Sequence, residues 1–86
     1  MSVMLFTRED TDYARRVTEF LHDFERRTSH ALTVVNPDSA DGAAQAQVYD
    51  IVEYPTIIAT ADDGRLLSQW RGLPLPTIDE VSYYVQ

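Results

Sequence analysis

Cysteine and lysine are both absent from this 86-residue chain. Without a thiol it can form no disulfide, offer no thiolate nucleophile and hold no thiol-ligated cluster. Its 7 cationic side chains are all arginines and face 14 acids, so the formal charge is −7. No basic face is available to neutralise phosphates, and no nucleic-acid partner is expected. The missing lysine fits the arginine-rich codon usage of a GC-rich genome. Long apolar runs are absent too. None approaches the roughly 18 residues of a membrane span, so no membrane partner is expected. The opening Met1-Ser2-Val3-Met4-Leu5-Phe6 lacks the basic start and long apolar core of a signal peptide. It reads as a first strand, with the cytoplasm as the expected compartment. What is present, 44% hydrophobic and 24% charged residues, is the composition of one small folded domain over residues 1–86.

Val3-Met4-Leu5-Phe6-Thr7 suits a strand buried on both faces. A polar loop follows, in which Asp10, Thr11 or Asp12 could cap the next helix. From Tyr13 to about Thr28, apolar residues recur at steps of three and four through Ala14, Val17, Phe20, Leu21 and Phe24. That spacing predicts one amphipathic helix, with Arg26 and Arg27 at its negative end. Ala31-Leu32-Thr33-Val34-Val35 is strand-like and is stopped by Asn36-Pro37-Asp38. A second, weaker helix is expected over about 39–49, with Ala40, Ala43, Ala44, Val48 and Ile51 turned inward. Pro55 then opens the strand Thr56-Ile57-Ile58-Ala59-Thr60, since proline is tolerated at a strand's first residue. Ala61-Asp62-Asp63-Gly64 signals a hairpin into a fourth strand, Arg65 to Trp70. Thr77-Ile78-Asp79-Glu80 has the form of a capping box before a last helix that packs Val81, Tyr84 and Val85.

The order is β-α-β-α-β-β-α. It predicts an α/β fold with a mixed four-stranded sheet in the order 2-1-3-4 and helices on both faces.

Three features of this chain resemble the thioredoxin/glutaredoxin superfamily. They are Ile51-Val52-Glu53-Tyr54-Pro55-Thr56 after the second helix, the hairpin Asp62-Asp63-Gly64, and Gly72 after the last strand. The resemblance covers nearly the whole chain and implies a minimal thioredoxin-like fold with a cis-proline at Pro55. In active members a Cys-x-x-Cys motif follows the first strand, where the helix start favours the thiolate. Matching Leu5 to Ala14 with that segment puts Thr11 at the nucleophile's place and Ala14 at the resolving one. Neither can perform thiol chemistry, and no histidine stands in sequence as a base for Thr11. The resemblance therefore implies a redox-inactive member, with thiol–disulfide oxidoreductase activity excluded.

It also implies a binding surface. In the family, backbone groups beside the cis-proline pair with an extended stretch of substrate, a form of strand addition that needs no cysteine. The expected partner is a protein or extended peptide, docked at Thr11, Tyr13, Tyr54, Pro55 and Thr56, with Gly72 and Leu73 at the edge. A cysteine-independent enzyme or small-ligand binder using the same cleft is the alternative. No cofactor is expected. His22 and His30 are too isolated for a zinc site, which wants three or four ligands. Asp62-Asp63 and Asp79-Glu80 have turn and cap roles. Trp70 is expected half-buried, and Tyr83 is left as a candidate contact residue.

Overall fold

The expected strands and helices are all present in the computed structural model, which describes residues 1–85. They are β1 (Ser2–Phe6), α1 (Ala14–Thr28), β2 (Thr33–Val35), α2 (Ala40–Val48), β3 (Thr56–Thr60), β4 (Leu66–Arg71) and α3 (Ile78–Ser82). The sheet runs β2-β1-β3-β4. β1 lies parallel to β2, and β3 is antiparallel to both β1 and β4. Because side chains alternate across a strand, neighbouring positions feed two cores. Val3, Leu5, Ile57 and Ala59 meet Val17 and Phe24 of α1 and Val81 of α3. On the other face Phe6, Val35 and Ile58 meet Ala46 of α2 and Ile51. All five residues of β3 are buried, as the β-branched run after Pro55 predicts.

The sheet's two edges are kept short or irregular, which discourages pairing with another chain. β2 has three residues, and the register of β4 slips next to the hairpin, where Ala59 faces Ser68 but Thr60 faces Leu66. Leu67 is the extra residue of that bulge. In the hairpin itself, Gly64 N–H donates to Ala61 O at 2.9 Å, and Gly64 takes φ +88, a region open to glycine at little cost. The α-ammonium of Met1 reaches Asp62 at 2.6 Å and, by that hydrogen bond, holds the Asp62 carboxyl below its usual range.

Several expected details are corrected. The N-cap of α1 is Tyr13, with φ −95 and ψ −5 and no side-chain cap bond, rather than Asp10, Thr11 or Asp12. A turn intervenes: Ala14 N–H points at Thr11 O, 3.4 Å away, and the Thr11 hydroxyl donates back to Arg8 O at 3.3 Å. β2 begins at Thr33, since only Met4, Leu5 and Phe6 of β1 pair with it. The inward face of α2 is also different. Gly42 and Ala46 are buried, whereas Ala40, Ala43 and Ala44 are exposed and Val48 is 74% exposed. The rotation of α2 is set at its start, where Ser39 Oγ accepts Gly42 N–H at 3.0 Å and donates to Asn36 O at 2.8 Å. At α3, Thr77 Oγ1 accepts Glu80 N–H at 3.2 Å. Among the described residues the reciprocal half of that box, from the Glu80 carboxylate, is not formed.

Candidate functional site

Phe6 pairs with Thr56 across the sheet, so the loops that follow β1 and precede β3 emerge side by side. The second of these is tightly held. α2 ends with Asp50 in the left-handed region at φ 53. There Asp50 N–H donates to Gln47 O and Ile51 N–H to Ala46 O, at 3.2 and 2.8 Å. This is a Schellman closure with aspartate where glycine is usual. The carbonyls of Tyr49 and Asp50, left over at the helix end, accept the Arg71 guanidinium at 3.2 and 2.7 Å. Downstream, the Tyr54 hydroxyl donates to Ile51 O and the Thr56 hydroxyl to Glu53 O at 2.6 Å. Asp50→Gly relieves a side chain from φ +53, at some cost in unfolded-chain entropy. It is expected to stabilise the protein by about 0.5 kcal/mol, read from a denaturant midpoint.

The Tyr54–Pro55 and Leu73–Pro74 peptides are both cis. Pro55 and Thr56 are fully buried, and Pro55 O is taken by Gly72 N–H at 2.8 Å. Their side chains therefore lie beneath the surface rather than on it. The Tyr54 ring packs against the Phe6–Ile58 core rather than reaching outward. Its backbone is different: among the described residues neither Tyr54 N–H nor Tyr54 C=O has a hydrogen-bond partner. Gly72 is half-buried and Leu73 remains 45% exposed.

Arg8 joins the pieces, and sequence reasoning passed over it. Its carbonyl receives the Thr11 hydroxyl, and its guanidinium lies over the Tyr54 ring at 4.6 Å from the centroid, a cation–π arrangement. Its Nε is 3.1 and 3.2 Å from the two Asp38 carboxylate oxygens. That hydrogen bond with Asp38 drives the Arg8 pKa upward against desolvation, and Tyr54 and Tyr13 both add to it electrostatically. Tyr54 thus meets the Arg8 guanidinium, while Thr11 is held to the Arg8 backbone carbonyl. The available signal was that Arg8 is the sole positive charge of the loop Arg8-Glu9-Asp10-Thr11-Asp12. Tyr13 itself is half-buried against the α1-side core. Beside this loop the Thr7 hydroxyl is buried and, among the described residues, has no hydrogen-bond partner.

Among solved structures, thioredoxin 1 from the thermophilic eubacterium Thermosipho africanus TCF52B superposes on 99% of this chain and 90% of its own, with a TM-score of 0.65. The fold is thioredoxin-like. At 12% identity the likeness speaks for architecture alone. No family model matches the chain, and no curated protein does. On this thioredoxin-like scaffold Thr11 precedes the first helical residue by three positions, its hydroxyl is spent on Arg8 O, and the chain holds no cysteine. Thiol–disulfide exchange has no sulfur to run on. His22 and His30 lie exposed on α1 and in the loop after it, and among the described residues no group of three or more His, Asp or Glu side chains is placed to hold a metal ion. No described helix is long and apolar enough to cross a membrane. What the Tyr54 loop offers, among the described residues, is a backbone N–H and C=O without a hydrogen-bond partner.

Proposed function

We propose that this chain is a redox-inactive thioredoxin-like domain that binds an extended peptide segment beside Tyr54–Pro55. The observation that carries the reading is the unpaired N–H and C=O of Tyr54, held in place by the bonded loop around them. One donor and one acceptor on the same residue are the groups to which an extended chain adds as a strand. Exposed apolar side chains stand beside that residue in the chain and across the Gly72–Pro55 hydrogen bond: Val52 at 84% and Leu73 at 45% exposure. Peptide residues flanking the paired one can cover them. Thr11 and Tyr13 would border the opposite wall, with the Arg8–Asp38 pair between. An acidic protein of this kind favours peptides without a run of acids.

Selection of peptides from a random displayed library on the isotopically labelled protein tests the proposal. Enriched peptides are expected to move the Tyr54 amide resonance and slow its hydrogen exchange. Tyr13→Asp, at a half-buried border position, is expected to weaken them several-fold. Enriched peptides that leave the Tyr54 amide untouched would place binding elsewhere. Failure to enrich any peptide would remove the reading.

A further inference from the structure

On the α1 side of the sheet the β2 edge is left uncovered. Val34 faces that side, because its β1 partner Leu5 does, yet it is 52% exposed. A hollow of about 250 Å³ lies there, walled by Val17 and Leu21 of α1, by Val34, and by Thr7 to Glu9 at the end of β1. Sites for drug-sized ligands run to roughly 300–1,000 Å³, so this one suits a smaller molecule.

One polar group in the lining is unused. Thr7 is only 8% exposed. Its N–H continues the sheet ladder onto Val35 O at 3.2 Å, so the alternation that turns Leu5 toward α1 turns Thr7 the same way. Among the described residues its hydroxyl has no partner, and an unpaired buried hydroxyl costs stability. The other polar groups of the hollow are spent or lie at its rim. The Thr18 hydroxyl donates to Ala14 O at 3.0 Å, and the Arg8 guanidinium is drawn to Asp38 and the Tyr54 ring. Glu9 is exposed at the rim and, among the described residues, takes part in no salt bridge.

An occupant has to bring an apolar body for Val17, Leu21 and Val34 and one atom for Thr7. A hydroxyl has a single proton to place, so the complementary atom is an oxygen acceptor. The head that carries it is neutral, because a full charge at that depth would lose hydration that one hydrogen bond does not return. Glu9 opposes an anion further. We propose that the Thr7 hollow binds a small neutral aliphatic molecule, whose carbonyl or hydroxyl oxygen accepts the Thr7 O–H. The site is separate from the Tyr54 backbone groups and does not depend on peptide binding there.

Isobutyramide and isobutyrate have the same shape and differ in charge, which makes them the probes. Titration with isobutyramide is expected to shift the methyl resonances of Val17, Leu21 and Val34 saturably in the millimolar range, and isobutyrate to bind about tenfold more weakly or not at all. Thr7→Val keeps the side-chain shape and removes the hydroxyl, so stability and binding should move in opposite directions. The melting temperature of the free protein is expected to rise by roughly 5 °C, while isobutyramide weakens about fivefold. Thr7→Ser, which retains the hydroxyl, should bind within about twofold of the parent. Val34→Asp, at the exposed wall, should weaken isobutyramide with the circular dichroism spectrum unchanged. A melting temperature that does not rise in Thr7→Val would mean that the hydroxyl already has a partner, an ordered water included, and would overturn the proposal. Equal affinity for the two probes, unchanged affinity in Thr7→Val, or no saturable shift at the three methyl-bearing residues would do the same.

Discussion

Phe24→Ala is expected to lower the melting temperature by roughly 15–30 °C, or to leave the protein largely unfolded at 37 °C. Phe24 is wholly buried, and its ring lies 6.0 Å from that of Phe20 at an interplanar angle of 30°. It sits where α1 meets the sheet, in the core that also contains Leu5, Val17, Leu32 and Val81. Removing a ring there deletes buried apolar surface and leaves a cavity that backbone on a regular helix and sheet cannot close. Such truncations cost about 3–5 kcal/mol. A domain of this size has a total stability of about 5–15 kcal/mol, so the loss is a large fraction of the whole. Thermal and urea denaturation of the same variant would check it. A shift under about 5 °C would mean that α1 packs loosely on the sheet, contrary to the burial observed.

The same residue illustrates what was legible in the chain beforehand. Val17, Phe20, Leu21 and Phe24 recur at helical spacing among charged neighbours, so the phase of α1 could be read directly. The β-branched run after Pro55 and the glycine of the hairpin were equally readable. Strand order followed from connection lengths, and with it the meeting of the β1 and β3 ends. Which side chains would line that end of the sheet was not legible. Backbone pairing at Tyr54 was expected from the family resemblance alone. Among the described residues its N–H and C=O have no hydrogen-bond partner, while its ring packs against the Phe6–Ile58 core. Pro55 and Thr56 were named as contact residues and lie beneath the surface. Arg8 passed unnoticed because a single arginine in a polar loop carries no pattern. Its role depends on Asp38, thirty positions away, and on Tyr54. α2 failed for another reason: Ala40 to Val48 offers alanine, glycine and glutamine with little apolar contrast, so its face could not be phased from hydropathy.

For that helix a single substitution gives the decisive test. Gly42→Ala is expected to destabilise the protein by about 2–3 kcal/mol and lower its melting temperature by roughly 10–20 °C. A Cβ built on Gly42 would fall 1.8 Å from Asn36 O, 2.7 Å from Asn36 C and 2.8 Å from Ser39 Oγ. Two of these are backbone atoms, and the carbonyl concerned already accepts Ser39 N–H at 3.1 Å and the Ser39 hydroxyl at 2.8 Å. Asn36 is tied again through its own side chain, whose Oδ1 accepts Asp38 N–H at 2.9 Å. The turn between β2 and α2 therefore cannot step aside without breaking the cap of the helix and disturbing Asp38, the partner of Arg8. Helix propensity pushes the other way, since alanine inside a helix is worth about 1 kcal/mol over glycine. The sign of the measured change thus decides which effect wins. Ser39→Ala supplies the scale, with an expected loss of about 1 kcal/mol from the cap alone. A larger loss for Gly42→Ala than for Ser39→Ala, with the Tyr54 amide resonance displaced, is the result the close approach requires. A gain in stability would mean that the turn stands further from α2 than its hydrogen bonds place it.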